Sequence, residues 1–213
     1  MIKSELIARK INEKIKVWRK GHAKLVVAID GYSGSGKTTA VDFIAKYNSD
    51  VLAVHLDDFI CHWKNRKEMI DKAQDKSQVF EYKWYRYDDL KKLINNFKIG
   101  GRKSIKFKIY DYNKNDFGSE KQFDLSKKIL VIDGIFLFHP KHQINKLWDK
   151  TIYLDIDFGK ADKKRITREK KKWGKNYISE DHPDNWTKYY KEAYFRYLKK
   201  YKIHKKCNMV FKV

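Results

Sequence analysis

The segment KLVVAIDGYSGSGKTTAVDFIAKY, residues 24–47, constrains this chain more than any other. The apolar run 24–30 reads as a buried strand, and 37–47 has the apolar spacing of a helix. Between them stands GYSGSGKT, which fits G-x-x-x-x-G-K-[ST] with Gly31, Gly36, Lys37 and Thr38 in the required places. Glycines there remove the side chains that would keep a ligand from the backbone, so N–H groups can converge on phosphate oxygens. The helix start adds its partial positive charge. Gly31, Ser33, Gly34, Ser35, Gly36, Lys37, Thr38 and Thr39 are therefore the candidate nucleotide-binding residues. Lys37 would reach the β- and γ-phosphates, and Thr38 would ligate Mg²⁺. A dinucleotide G-x-G-x-x-G is excluded, because Thr39 stands three residues beyond Gly36.

The rest of the chain alternates in the same way. Leu6, Ile7, Ile11, Ile15 and Trp18 fall at helical spacing over 3–19; the acidic residues Glu5 and Glu13 on this helix favour core packing over a membrane surface. Residues 51–56, 128–134 and 151–157 read as strands, 104–110 as a half-exposed strand, and 207–213 as a last strand. Residues 89–101 read as an amphipathic helix with a glycine stop. A basic helix is expected from about 159, then a long aromatic helix within 182–201 with Pro183 near its start. Strands alternating with helices predict an α/β fold, a parallel sheet flanked by helices on both faces. With 213 residues and no repeats or Pro/Gly-rich linker, one domain spanning 1–213 is expected.

Charge and cysteine content bound the partners. The chain carries 49 Lys+Arg against 27 Asp+Glu, a net +22. That charge would attract polyanions, nucleic acid included, but its lysines are dispersed along almost every segment, as in a solvated surface. No run of about 18 apolar residues suggests a membrane span, and no apolar signal core opens the chain. Two lone cysteines, Cys61 and Cys207, build neither a disulfide framework nor a zinc site. A cytoplasmic location is the expectation.

Three further patterns carry chemistry. VLAVHLDDF ends a strand on Asp57 and Asp58, and in open α/β sheets ligands bind at the carboxyl ends of strands. Asp57 would sit beside the phosphate loop and take a proton from an attacking hydroxyl; the simpler reading is a pair of turn aspartates. KILVIDG ends a strand on Asp133, a carboxylate placed to hold Mg²⁺ directly or through water. In KADKKRITREKKKWGK, Arg165 and Arg168 are i, i+3 and share a helix face, where guanidiniums could clamp transferring phosphates as a mobile lid over about 160–180. Two arginines chosen together in a lysine-rich chain point to bidentate phosphate contact.

IDGYSGSGKTT, LDDF, YRYDDL, YDY, VIDGIF and KRITRE occur in the order found in the uridine kinase-like branch of the P-loop kinases, and over roughly 23–200 the chain resembles that branch. Its relatives act on pantothenate, nicotinamide riboside and ribulose phosphate. The resemblance implies a nucleoside-monophosphate-kinase-like P-loop fold with a helical lid, ATP and Mg²⁺ as cofactors, and a small-molecule hydroxyl acceptor such as a nucleoside. It makes Asp57 the catalytic base and a metal-side carboxylate, joined by Lys37, Arg165 and Arg168 as catalytic residues and by Thr38 and Asp133 at the metal. The family usually has Glu where Asp133 stands, and the shorter side chain implies a water-mediated contact. The acceptor pocket maps to Asp57, Arg86, Tyr87, Asp88, Tyr110 and Tyr112. EYKWYRYDD stands where nucleoside kinases carry D-x-P-x-x-F-D.

Other signals fail. NKND (113–116) matches the guanine-reading N-K-x-D, but no apolar strand precedes it and the chain has no D-x-x-G. His139 and His142 have no evident third metal ligand. The aromatics of WTKYYKEAYFRYLKKY have the spacing of a core face rather than of a base-stacking groove. Two rival readings stay open: a polynucleotide 5′-hydroxyl kinase, and a non-kinase P-loop ATPase or nucleic-acid-binding module.

Overall fold

A computed structural model describes residues 3–111, 114 and 116–213; Tyr112, and Asn113 and Asn115 of the N-K-x-D stretch, lie outside the described residues. The elements run α1 (Lys3–Arg19), β1 (Leu25–Gly31), α2 (Lys37–Tyr47), β2 (Val51–His55), a 3₁₀ turn (Leu56–Phe59), α3 (Trp63–Lys72), α4 (Lys76–Tyr82) and α5 (Tyr87–Ile99). There follow β3 (Ser104–Asp111), β4 (Asp116–Asp124), β5 (Ile129–Gly134), β6 (Lys150–Asp155), α6 (Phe158–Trp173), α7 (Thr187–Tyr201) and β7 (Met209–Lys212).

Five strands form one parallel sheet in the order β2-β5-β1-β6-β7. Every residue of β1 and β5 is buried, which is why both read as continuous apolar runs: each face is covered. Leu25, Val27 and Ile29 meet Ile129, Val131 and the Ile11 and Ile15 side chains of α1 on one face. Val26 and Ala28 meet Leu130, Ile132, the α5 leucines and Tyr194 and Tyr197 of α7 on the other. The α1 helix is thus core-packed as its spacing predicts, although Leu6, one position off the buried stripe, stays exposed. The register sets Asp133 beside Ile29 and beside His55, so the functional carboxyl ends of three neighbouring strands align.

The strand 104–110 exists but lies outside the main sheet. It pairs antiparallel with β4, a partner that the polar sequence DFGSEKQFD does not announce. Phe107 and Phe123 on this hairpin pack on Phe59 of the 3₁₀ turn, which ties it to the end of β2. The last long helix starts at Thr187, four residues past Pro183, and buries Tyr190, Ala193, Tyr194 and Tyr197 as one stripe. Among the described residues no helix is long and apolar enough to cross a membrane.

Candidate active site

The loop after β1 turns into α2 through left-handed glycines, Gly34 (φ 86°) and Gly36 (φ 86°). Gly36 precedes the helix with no side-chain cap, so the first-turn N–H groups have no side-chain acceptor and remain open to an anion. Lys37 is buried and its Nζ donates to the carbonyls of Gly31 (2.6 Å) and Tyr32 (2.9 Å). Burial pushes its pKa down, against the pull of Asp133, Asp30 and Asp57. Neighbouring elements brace the loop. The Ser33 N–H donates to the Tyr190 hydroxyl (2.9 Å), the Tyr32 hydroxyl donates to Asp162 (3.1 Å), and Gly31 N–H donates to Asp30 (2.6 Å). Asp30 is fully buried and also accepts from the Tyr197 hydroxyl (2.7 Å); burial raises its pKa to about 6.

Thr38 Oγ1 donates to Asp133 (2.8 Å), bringing the two expected Mg²⁺ residues together across 95 positions of sequence. The other oxygen of Asp133 is held by His55 Nδ1, whose Nε2 meets Asp42 at 3.2 Å. Burial would lower the His55 pKa, but the bond to Asp133 overcomes it and the net direction is upward. This donor set fits Mg²⁺, which takes one or two protein ligands and fills its shell with phosphates and water. Among the described residues no cluster of three His, Cys, Asp or Glu could hold a metal by itself.

Asp57 opens on the same cavity, of about 410 Å³, which Lys37, Thr38, Asp133, Arg165 and Arg168 also line. Water reaches Asp57 through the cavity, yet withdrawal from bulk solvent raises its pKa and the charge of Asp133 adds to this. A hydrogen bond from the Tyr85 hydroxyl (3.2 Å) and the charge of Lys37 pull the other way. Asp58 faces elsewhere, paired with Lys121 at 2.6 Å.

The two α6 arginines meet different surroundings. Arg168 is exposed on the cavity rim. Arg165 is only 3% exposed and meets Glu169 (3.0 Å), Asp162 (3.4 Å) and Glu180; Lys191 joins Asp162 and Glu180 at 2.8 Å each. Burial alone would lower its pKa, but these carboxylates raise it.

Of the residues expected to hold the acceptor, and among the described residues, only Asp57 lines the cavity; Tyr112 lies outside them. Arg86 spans Asp89 (2.5 Å), the Asp58 carbonyl (3.1 Å) and the Lys108 carbonyl (2.7 Å), binding α5 to the 3₁₀ turn and hairpin. Tyr87 packs against His142 at 4.3 Å and Asp88 is exposed on α5. Tyr110 lies one layer behind the wall, under Arg66. The cavity is lined instead by Ile60, Arg66, Phe80, Trp84, Tyr85 and Trp186, besides the phosphate-loop residues. Sequence reasoning missed these and His55: Arg66, Phe80 and Trp186 lie in no motif, while His55, Trp84 and Tyr85 stand inside VLAVHLDDF and EYKWYRYDD, where the aspartates and Arg86 are the conspicuous residues.

A phosphate loop, a strand-end carboxylate beside it and a Thr–Asp pair under it, on a five-stranded parallel sheet, define a P-loop kinase. The chain belongs to the Phosphoribulokinase / Uridine kinase family, whose model matches residues 26–213. It is an ATP-dependent phosphotransferase of the kind that acts on hydroxyl groups. The uridine kinase of Borrelia duttonii (strain Ly) is 27% identical over 151 residues, 70% of this chain and 69% of that protein. A structure described as a possible uridine kinase from Bacillus stearothermophilus matches with a TM-score of 0.66 at 21% identity, covering 95% of this chain and 99% of that one. Phosphoribulokinase from Rhodobacter spheroides matches with a TM-score of 0.62 at 13% identity, covering 89% of this chain and 70% of that one. Likeness at these last identities is likeness of fold.

Proposed function

We propose that the chain transfers the γ-phosphoryl group of ATP to a hydroxyl of a small metabolite, as a single cytoplasmic domain with α6 acting as the lid. The observation that carries this is one cavity holding the phosphate loop, Asp57 and the Thr38–Asp133 pair together. Asp57 orients the acceptor hydroxyl and takes its proton as the new O–P bond forms; the bond from γ-phosphorus to the bridging oxygen breaks and ADP leaves. Its raised pKa favours that step, since a base must hold the proton it receives. Lys37, the loop N–H groups and Arg168 stabilise the charge on the transferring oxygens. Thr38 and Asp133, which meet at 2.8 Å, would hold Mg²⁺, with His55 fixing the Asp133 carboxylate. The ion, when bound, neutralises charge shared by the β- and γ-phosphates. Arg165, already engaged by carboxylates, anchors α6 over the loop rather than meeting phosphate.

The names of the relatives make uridine the first acceptor to assay. The test is ADP release with ATP, Mg²⁺ and a panel of nucleosides, hydroxy acids and sugar phosphates. Acceptor-dependent release abolished in Asp57→Asn supports the reading. Release that ignores every acceptor would leave an ATPase and overturn it.

A further inference from the structure

Two arginines are buried in the wall of the cavity, and they are not treated alike. Arg165 has three carboxylates around it. Arg66, on α3 and only 6% exposed, has no carboxylate partner among the described residues. Its guanidinium lies over three rings, Trp84 at 5.0 Å, Tyr110 at 5.1 Å and Trp63 at 5.4 Å, and it hydrogen-bonds the Tyr110 phenol. Its Nε has no partner, which is equally true of Arg165, so the two differ in the carboxylates around them and not in that atom.

Aromatic faces offset part of the desolvation of a guanidinium, but they do not satisfy its N–H donors. A permanently charged group withdrawn from water and left without an anion is unfavourable unless a ligand brings one. The rings also fix the fork. Trp63 stacks on Trp186 at 4.8 Å, and Trp84 stacks on Phe80 at 3.9 Å, so the planes that hold Arg66 are themselves packed. A rigid guanidinium that meets rings and no carboxylate, in the wall of the cavity, is matched by a carboxylate or a phosphate, which it can grip through parallel hydrogen bonds.

We infer that the acceptor carries an anionic group, a carboxylate or phosphate, and that Arg66 seats it in the aromatic box while its hydroxyl faces Asp57. This rests on the kinase reading for the hydroxyl's fate, but the anion site stands on Arg66 and its neighbours alone. A neutral nucleoside leaves the guanidinium without an anion and binds weakly.

The experiment reads binding and transfer separately. With the phosphate loop saturated by a non-hydrolysable ATP analogue and Mg²⁺, D-glycerate, glycerol 3-phosphate and glycerol are titrated while tryptophan fluorescence is followed. One or both anions should give a saturable change and glycerol none. Glycerate alone identifies a carboxylate site, and glycerol 3-phosphate alone a phosphate site. Arg66→Gln should weaken the response by roughly ten- to a hundred-fold, the range for a hydrogen bond to a charged group, and Arg66→Lys should recover part of it. Circular dichroism confirms that each variant folds; if Arg66→Gln does not, the Arg66→Lys titration carries the comparison. No saturable binding by either anion, equal binding of glycerol, or anion binding indifferent to Arg66 overturns the inference. Acceptor-dependent ADP release from uridine unaffected by Arg66 variants would overturn it too while sparing the kinase reading. Anion binding at Arg66 without transfer to any acceptor would do the reverse.

Discussion

Gly34→Ala tests whether the phosphate loop is braced by the helix that carries the lid arginines. Two effects are separable. Gly34 has φ 86°, and an L-residue held in the left-handed region costs roughly 1–2 kcal/mol. In addition, a Cβ at Gly34 would stand 2.4 Å from the Ala161 carbonyl oxygen, about 1 Å short of ordinary contact. Ala161 belongs to α6, and a backbone oxygen cannot rotate away as a side-chain tip can. The overlap therefore adds roughly 1–3 kcal/mol, the usual scale for overpacking, or pushes α6 outward. Gly21 supplies the control: its φ is 87°, yet nothing lies within 4 Å of where its Cβ would be. For a chain of this size each kcal/mol moves Tm by about 2–4 °C. Gly21→Ala should lower Tm by about 2–8 °C and leave turnover alone. Gly34→Ala should lower Tm by roughly twice as much and also cut kcat, because Arg168 rides on the displaced helix. Calorimetry and steady-state kinetics on both variants check this. If Gly34→Ala matched Gly21→Ala in Tm and kept full kcat, the contact between loop and α6 would not exist as described.

Lys37→Met should remove nearly all ATP-dependent turnover while the fold survives, since Lys37 bonds loop carbonyls beneath the ligand site; unimpaired turnover would refute its phosphate role. Asp57→Asn should bind ATP normally and lose transfer by about 10² to 10⁴, the range for a general base, whereas Asp58→Asn, whose carboxylate is bound to Lys121, should matter less. Because the Asp57 pKa is raised, kcat/KM should fall with acid from a pH above the ordinary carboxylate range, and a rate flat down to pH 4 would contradict it. Arg165→Ala strips a partner from half-buried carboxylates, two of which keep Lys191, and should destabilise the fold by about 1–3 kcal/mol in urea unfolding; Arg168→Ala should leave stability unchanged and lower kcat. For Asp30, a folded pKa of about 6 against an ordinary 3.8 means the native state binds the extra proton, so stability falls as pH rises through that window. Ionised Asp30 therefore carries about 3 kcal/mol less stability than protonated Asp30, and the stability difference between wild type and Asp30→Asn, measured from pH 4 to 7, should change by about that much.

Some of this protein is local and some is not. Residues 24–47 contain a strand, a glycine loop and a helix start whose conformations follow from neighbours in sequence, so the phosphate site and the parallel sheet could be read without coordinates. The strand-end aspartates Asp57 and Asp133 were legible for the same reason: a buried strand has to stop at the ligand edge, and a carboxylate there is conspicuous. The β3–β4 hairpin was only half legible, because β4 is polar and is a strand by virtue of its partner. What no local pattern could supply is which charges meet. Arg165 and Arg168 share a sequence motif, yet one is enclosed by carboxylates from α6 and the segment before α7, and the other faces the cavity. Arg86 lies in a family motif and holds the hairpin, while Arg66, in no motif, lines the cavity. Sequence determined the fold and the phosphate chemistry, because backbone geometry and burial periodicity are properties of short segments. Tertiary structure alone decided which charges are enclosed by carboxylates and which line the cavity without one, because that depends on side chains brought together from distant elements.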